Sequence, residues 1–139
     1  MRLPALFFLL LIAVLPARAQ EAPAADGAAI ETVIREQLAA FNRDDGNAAW
    51  SYAAPGIQAK FQTVETFMAM VRGGYSAVYR SASAAFGPLT GNGDHLLQEV
   101  VITGQDGMQV LARYSMGRQG DGTWKIEGVS LEELPQLNV

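Results

Sequence analysis

The stretch HLLQEVVITGQDGMQVLARYSMGRQGDGTWKIEGVSL, residues 95–131, decides the fold class of this chain. Its apolar residues alternate with a period near two, and two Asp-Gly pairs, Asp106-Gly107 and Asp121-Gly122, cut it into three runs. Asp-Gly between hydrophobic runs signals a short hairpin, so the runs predict antiparallel strands over 95–103, 108–117 and 123–131. A further strand is expected within 77–86, ended by Gly87-Pro88. With each Asp-Gly at the centre of a two-residue turn, counting gives the pairing. Thr103 then faces Val110, Val101 faces Ala112 and Glu99 faces Tyr114; beyond the second turn Met116 faces Glu127 and Tyr114 faces Val129. One face would carry Leu97, Glu99, Val101, Tyr114, Met116 and Val129. The other would carry Val100, Ile102, Leu111, Trp124 and Ile126, with Gln98 and Arg113. A one-residue slip exchanges the faces.

Working toward the amino terminus, the period changes to that of a helix. Ile30, Val33, Ile34, Leu38 and Phe41 make one stripe, with Glu31, Arg35 and Glu36 off it. Asp44-Asp45-Gly46 interrupts the stripe, and Asp45 is placed to cap a short second helix with Ala49, Trp50 and Ala53 on its apolar side. Ala54-Pro55-Gly56 ends that helix. Thr63 caps a third, with Val64, Phe67, Met68 and Val71 on one stripe and Gly73-Gly74 as its stop. Helices first and a meander after them predict an α+β domain: three N-terminal helices packed on an antiparallel sheet of about four strands. Both sheet faces hold large apolar residues, whereas a sheet with one solvated face alternates more cleanly. The face away from the helices then needs a cover, and a second copy of the chain is the simplest, giving a homodimer through that face. A partly exposed, twisted sheet is the alternative.

The chain has 139 residues, with 10 Lys and Arg against 14 Asp and Glu. Met1-Arg2, an apolar run from Ala5 to Leu15, and Ala17-Arg18-Ala19 have the three parts of a secretory signal over 1–19, cleaved before Gln20. Eleven apolar residues are too few for a spanning helix, which needs about 20. The product is expected in the periplasm or outside the cell, without stable membrane insertion after cleavage. Residues 20–29, alanine-rich with Pro23, read as a flexible arm, 30–132 as the domain, and 133–139 as a tail. Without Arg2 and Arg18 the mature chain is more acidic still, which argues against nucleic-acid binding. Cysteine is absent, so there is no disulfide, thiolate metal site or cysteine nucleophile. His95 is the single histidine, so a zinc site would need several converging carboxylates; no metal or cofactor is expected.

Several short motifs form a set: Gln37-Leu38-x-Ala40-Phe41 with Asp44-Asp45, Ala54-Pro55-Gly56-Ile57-Gln58, Phe67-x-x-x-Val71 with Tyr75, and Gly122-x-Trp124-Lys125-Ile126-x-Gly128-Val129. With these, about 30–131 resembles a family of small exported bacterial proteins classed as a domain of unknown function. The order of elements, with the closing Gly122-Thr123-Trp124-Lys125-Ile126 strand, also resembles the cystatin-like cone superfamily, which takes in nuclear transport factor two, ketosteroid isomerase and polyketide-cyclase-like proteins. The resemblance implies a curved sheet wrapped on helices around a conical pocket. It supplies no activity.

In isomerase-like members an acidic base follows the second helix. Here 52–59 holds no carboxylate. The resemblance places Tyr114 where such members keep a donor, and the counted register puts Glu99 beside it. That pair is the catalytic candidate: a buried glutamate near a tyrosine can have a raised pKa and move a proton. The bland reading is a core tyrosine with a satisfied hydroxyl. Trp50, Tyr75 and Tyr79, with Glu99 and Tyr114, are the candidate ligand-binding residues. Two functions follow. One is a non-catalytic exported module for a small apolar ligand or a protein partner. The other is a small isomerase, dehydratase or cyclase-type enzyme using the Glu/Tyr pair.

Overall fold

The computed structural model describes residues 23–135. The expected signal, residues 20–22 of the arm and residues 136–139 of the tail lie outside them. Five helices precede the sheet: α1 (Ala24–Asn42), α2 (Gly46–Ser51), α3 (Pro55–Phe61), α4 (Val64–Gly74) and α5 (Ser76–Tyr79). Four strands follow, β1 (Ser81–Asn92), β2 (His95–Gly104), β3 (Gln109–Arg118) and β4 (Trp124–Glu133). They form an open antiparallel sheet in the order β1-β2-β3-β4. The α+β class and the meander are as the sequence predicts.

The caps are also where the sequence puts them. Asp45 accepts from the Ala48 amide at the start of α2, and Thr63 accepts from the Thr66 amide at the start of α4. Three helical stretches differ from expectation. Residues 24–29, read as part of a flexible arm, are the first turns of α1: alanine is the strongest helix former, and Pro23 precedes the helix without needing an amide partner. Pro55 both stops α2 and opens α3, because its fixed φ suits a first helical position as well as it breaks a preceding one. The four-residue α5 is too short for a periodic signal.

Strand β1 runs through Gly87-Pro88 rather than ending there. The pairing shifts between Phe86 and Leu89, which absorbs the proline's missing amide on an edge strand. Gln98, buried on the neighbouring strand, donates to the Gly87 carbonyl at 3.0 Å and so satisfies one of the groups that the irregularity frees.

The register of β2 on β3 is one residue off the counted one. Gly104 and Met108 close the hairpin, leaving a three-residue loop in which Gly107 takes φ +80°. A type I turn followed by a left-handed glycine is the usual three-residue hairpin, and Asp106 supports it by accepting from the Met108 amide. Glu99 therefore faces Arg113, and Tyr114 faces Gln98. The second hairpin has the same loop, with Gly122 at φ +86°. There a bulge at Glu127 restores the counted pairing further along: Met116 faces Ile126, not Glu127, yet Tyr114 faces Val129 as expected.

These slips decide which face is covered. The helices pack on the face carrying Val100, Ile102, Ala112, Tyr114, Met116, Trp124 and Ile126, all buried. With Tyr114 and Val129 beneath the helices, the counted register would leave Val100, Ile102, Trp124 and Ile126 on the uncovered face with Leu111; of the five only Leu111 lies there, half-buried. Leu97 and Val101 join it, beside an ion network in which Arg113 reaches Glu132 at 2.9 Å and Glu99 at 3.4 Å. No helix among the described residues is long and apolar enough to cross a membrane.

Candidate functional site

A cavity of about 240 Å³ opens between the helices and the edge strand β4. Helix α1 contributes Gln37 and Phe41, α3 contributes Ile57, Lys60 and Phe61, and α4 contributes Phe67, Met70 and Val71. Tyr75, Val78 and the backbone stretch around Gly128 complete the wall. The lining is dominated by aromatic and aliphatic groups with a few polar ones, the usual composition of a small-molecule site. Phe67 anchors it, with Phe41, Trp50 and Phe61 at ring-centroid distances of 6.0, 5.4 and 6.1 Å.

Three polar side chains border this space. Gln37 is 4% exposed and donates through Nε2 to the Ala49 carbonyl at 3.1 Å, which leaves its carboxamide oxygen available as an acceptor. Tyr75 donates to the Val129 carbonyl at 3.2 Å. Lys60 stands at the rim on the last turn of α3, its Nζ 5.4 Å from the centre of the Phe61 ring.

The sequence-derived candidates are scattered. Tyr75 lines the cavity. Trp50 packs edge-on behind Phe67 and is not part of the wall. Tyr79 belongs to a clamp at the end of α1: its hydroxyl bonds Asp44, and Arg80 stacks 4.0 Å over its ring while pairing with Asp44 at 2.7 Å. The Tyr79 hydrogen bond, and after it the Arg80 guanidinium, hold the Asp44 carboxyl below its ordinary pKa. Arg80 also donates to the Phe41 carbonyl, satisfying an end group of α1. This cluster borders a second hollow of about 480 Å³ beside the β2–β3 turn, where the bordering guanidinium is already paired.

Glu99 and Tyr114 do not come together. The one-residue slip puts Glu99 on the uncovered face, paired with Arg113, and Tyr114 in the core on the other face. The Glu/Tyr proton-transfer pair is therefore not assembled. Tyr114 is fully buried, its hydroxyl has no hydrogen-bond partner, and burial alone drives its pKa well above the ordinary phenol range. An unpaired buried hydroxyl costs about 1–3 kcal/mol. Tyr114→Phe is accordingly expected to stabilise the domain by about 1 kcal/mol in a urea titration; a loss of that size would show that the hydroxyl is bonded in solution.

The residues that sequence reading passed over are Gln37, Ile57, Lys60, Phe61 and Met70. Two signals pointed to three of them, Gln37, Ile57 and Phe61. Gln37 lies on the apolar stripe of α1, three residues after Ile34 and four before Phe41, where a polar side chain has to be buried. Ile57 and Phe61 are four apart, Ile57 two residues after Pro55, the pattern of a short helix with one apolar side. His95, the lone histidine, is exposed, with Nδ1 3.3 Å from a Glu127 carboxylate oxygen. Among the described residues no group of three or more His, Asp or Glu is placed to hold a metal ion.

No curated protein and no solved structure matches the chain. A family model described as a domain of unknown function, DUF4864, matches residues 23–139, the whole span from the start of α1 to the carboxyl terminus. The chain belongs to the DUF4864 family.

Proposed function

We propose that this domain is an exported, non-catalytic module of the cystatin-like cone type that holds a small, largely apolar ligand between α3, α4 and β4. The observation that carries the reading is the cavity itself: an aromatic and aliphatic wall around Phe67, with a buried carboxamide from Gln37 and a hydroxyl from Tyr75 as the fixed polar points. Such a wall removes apolar surface from water at roughly 25 cal/mol per Å² and leaves orientation to the few polar groups. The isomerase-type alternative rests on Glu99 and Tyr114, which the sheet separates. Export is proposed from the amino-terminal pattern, with cleavage after Ala19.

Homodimerisation is a second reading, favoured by one feature of the uncovered face. Val101 and Leu111 are cross-strand partners there, with Leu97 nearby, and all three are half-buried. A twofold contact would bury this strip on both copies and leave Arg113, Glu99 and Glu132 around it.

Native mass spectrometry of the protein isolated from its own host tests these proposals together. The expected spectrum contains a chain beginning at Gln20, a retained small molecule, and a twofold species at micromolar concentration. A chain beginning at Met1 overturns export. Monomers alone overturn the dimer, and a bare polypeptide mass that stays bare on exposure to small hydrophobic compounds overturns ligand binding.

A further inference from the structure

The chemical class of the ligand can be read from the charges around the cavity, given the binding reading above. We propose that the cavity takes a small amphipathic monocarboxylate, with its apolar body against Phe61, Phe67 and Met70 and its carboxylate on the Lys60 ammonium. Five of the eight Lys and Arg side chains among the described residues are already answered. Arg35, Arg43, Arg80, Arg113 and Arg118 each hold a carboxylate oxygen within 4.0 Å. Among the described residues Lys60, Arg72 and Lys125 make no such pair, and of these three Lys60 alone lines the cavity, its ammonium over the ring of Phe61, itself part of the wall. The charge is thus held at the rim, directly beside apolar surface.

No acid balances it from within. Glu127 is the one acidic residue of the lining, but its carboxylate is turned to the other face of the sheet. There it crosses Gly117 so closely that a Cβ on that glycine would stand 1.9 Å from Oε1, and its Oε2 sits 3.3 Å from His95. A cationic or neutral ligand would leave Lys60 unanswered, whereas a carboxylate completes the rim. Size sets the second constraint. The volume equals that of about eight waters and falls below the 300–1,000 Å³ of drug-sized sites, so the ligand has on the order of ten non-hydrogen atoms.

Titration of the mature chain with octanoate, 1-octanol and octylamine, followed by isothermal calorimetry, tests this. One equivalent of octanoate is expected to bind, about fivefold more tightly than octanol, the advantage typical of a partly exposed ion pair, with octylamine weakest. Added salt reduces the octanoate-to-octanol ratio. Lys60→Gln brings the ratio close to one and Lys60→Arg restores it. Lys125→Gln, on the opposite side of β4 from the buried Trp124 and Ile126, keeps it. A ratio of one in the wild type, an unchanged ratio in Lys60→Gln, or tightest binding of octylamine overturns the carboxylate assignment and leaves the cavity as a binding site. Failure of all three compounds to bind overturns both.

Discussion

Phe67→Ala is expected to destabilise the domain by about 3–5 kcal/mol in a denaturant titration. The side chain is 3% exposed on the inner stripe of α4, and it touches three other aromatic rings at once. Those neighbours come from α1, α2 and α3, so the truncation loosens four helices at a single point. Phe41, Trp50 and Phe61 are rigid rings on separate elements and cannot all move inward, so the hole stays open and the penalty sits toward the upper end of the range for such changes. Domains of this kind are stable by only about 5–15 kcal/mol, so the loss is a large fraction of the total. The midpoint should fall with little change in slope. A loss under about 1 kcal/mol would mean that Phe67 is not the hub of the helical layer.

A pair of substitutions one residue apart tests the sheet. Val100 is 0% exposed beneath the helices, while Val101 is half-buried on the uncovered face. Val100→Lys puts an ammonium with no partner into the core and is expected to cost about 4 kcal/mol or more, enough to unfold much of the population at room temperature. Val101→Lys, measured at a concentration where the chain is monomeric, should stay within about 0.5–1 kcal/mol, as surface changes do. With Tyr114 beneath the helices, the register counted from two-residue turns predicts the reverse order. Circular dichroism melts of the two variants decide between them, because a period of two makes any one-residue slip an exchange of inside and outside.

Much of the fold is legible in the residues. The Asp45 and Thr63 caps, the stripe on α4 and the two Asp-Gly turns are local signals, each satisfied within a few residues of where it is read. Less of the candidate site is. Tyr75 was recognisable as an aromatic near a boundary, but Lys60 and Phe61 depend on α3, whose start and whose predecessor's end are written in the same proline. Glu99 shows the cost of counting across a turn: a loop of three residues instead of two moves it from a pocket candidate to a surface ion pair with Arg113.

By itself, then, the sequence determined the class of the domain, the order of its main elements, its turn positions and most of its α4 and β3 core, because capping, periodicity and turn chemistry act over short separations. Tertiary structure alone decided the hairpin loop length, the bulge at Glu127 that returns Val129 to Tyr114's side, and the gathering of Gln37, Lys60, Phe67 and Val129 around one cavity. Asp-Gly is compatible with loops of either length, and the choice falls to whichever register buries Val100 and Ile102 together with Ala112, Tyr114 and Met116 under the helices. That burial is a sum over residues far apart in the chain, and no local signal contains it.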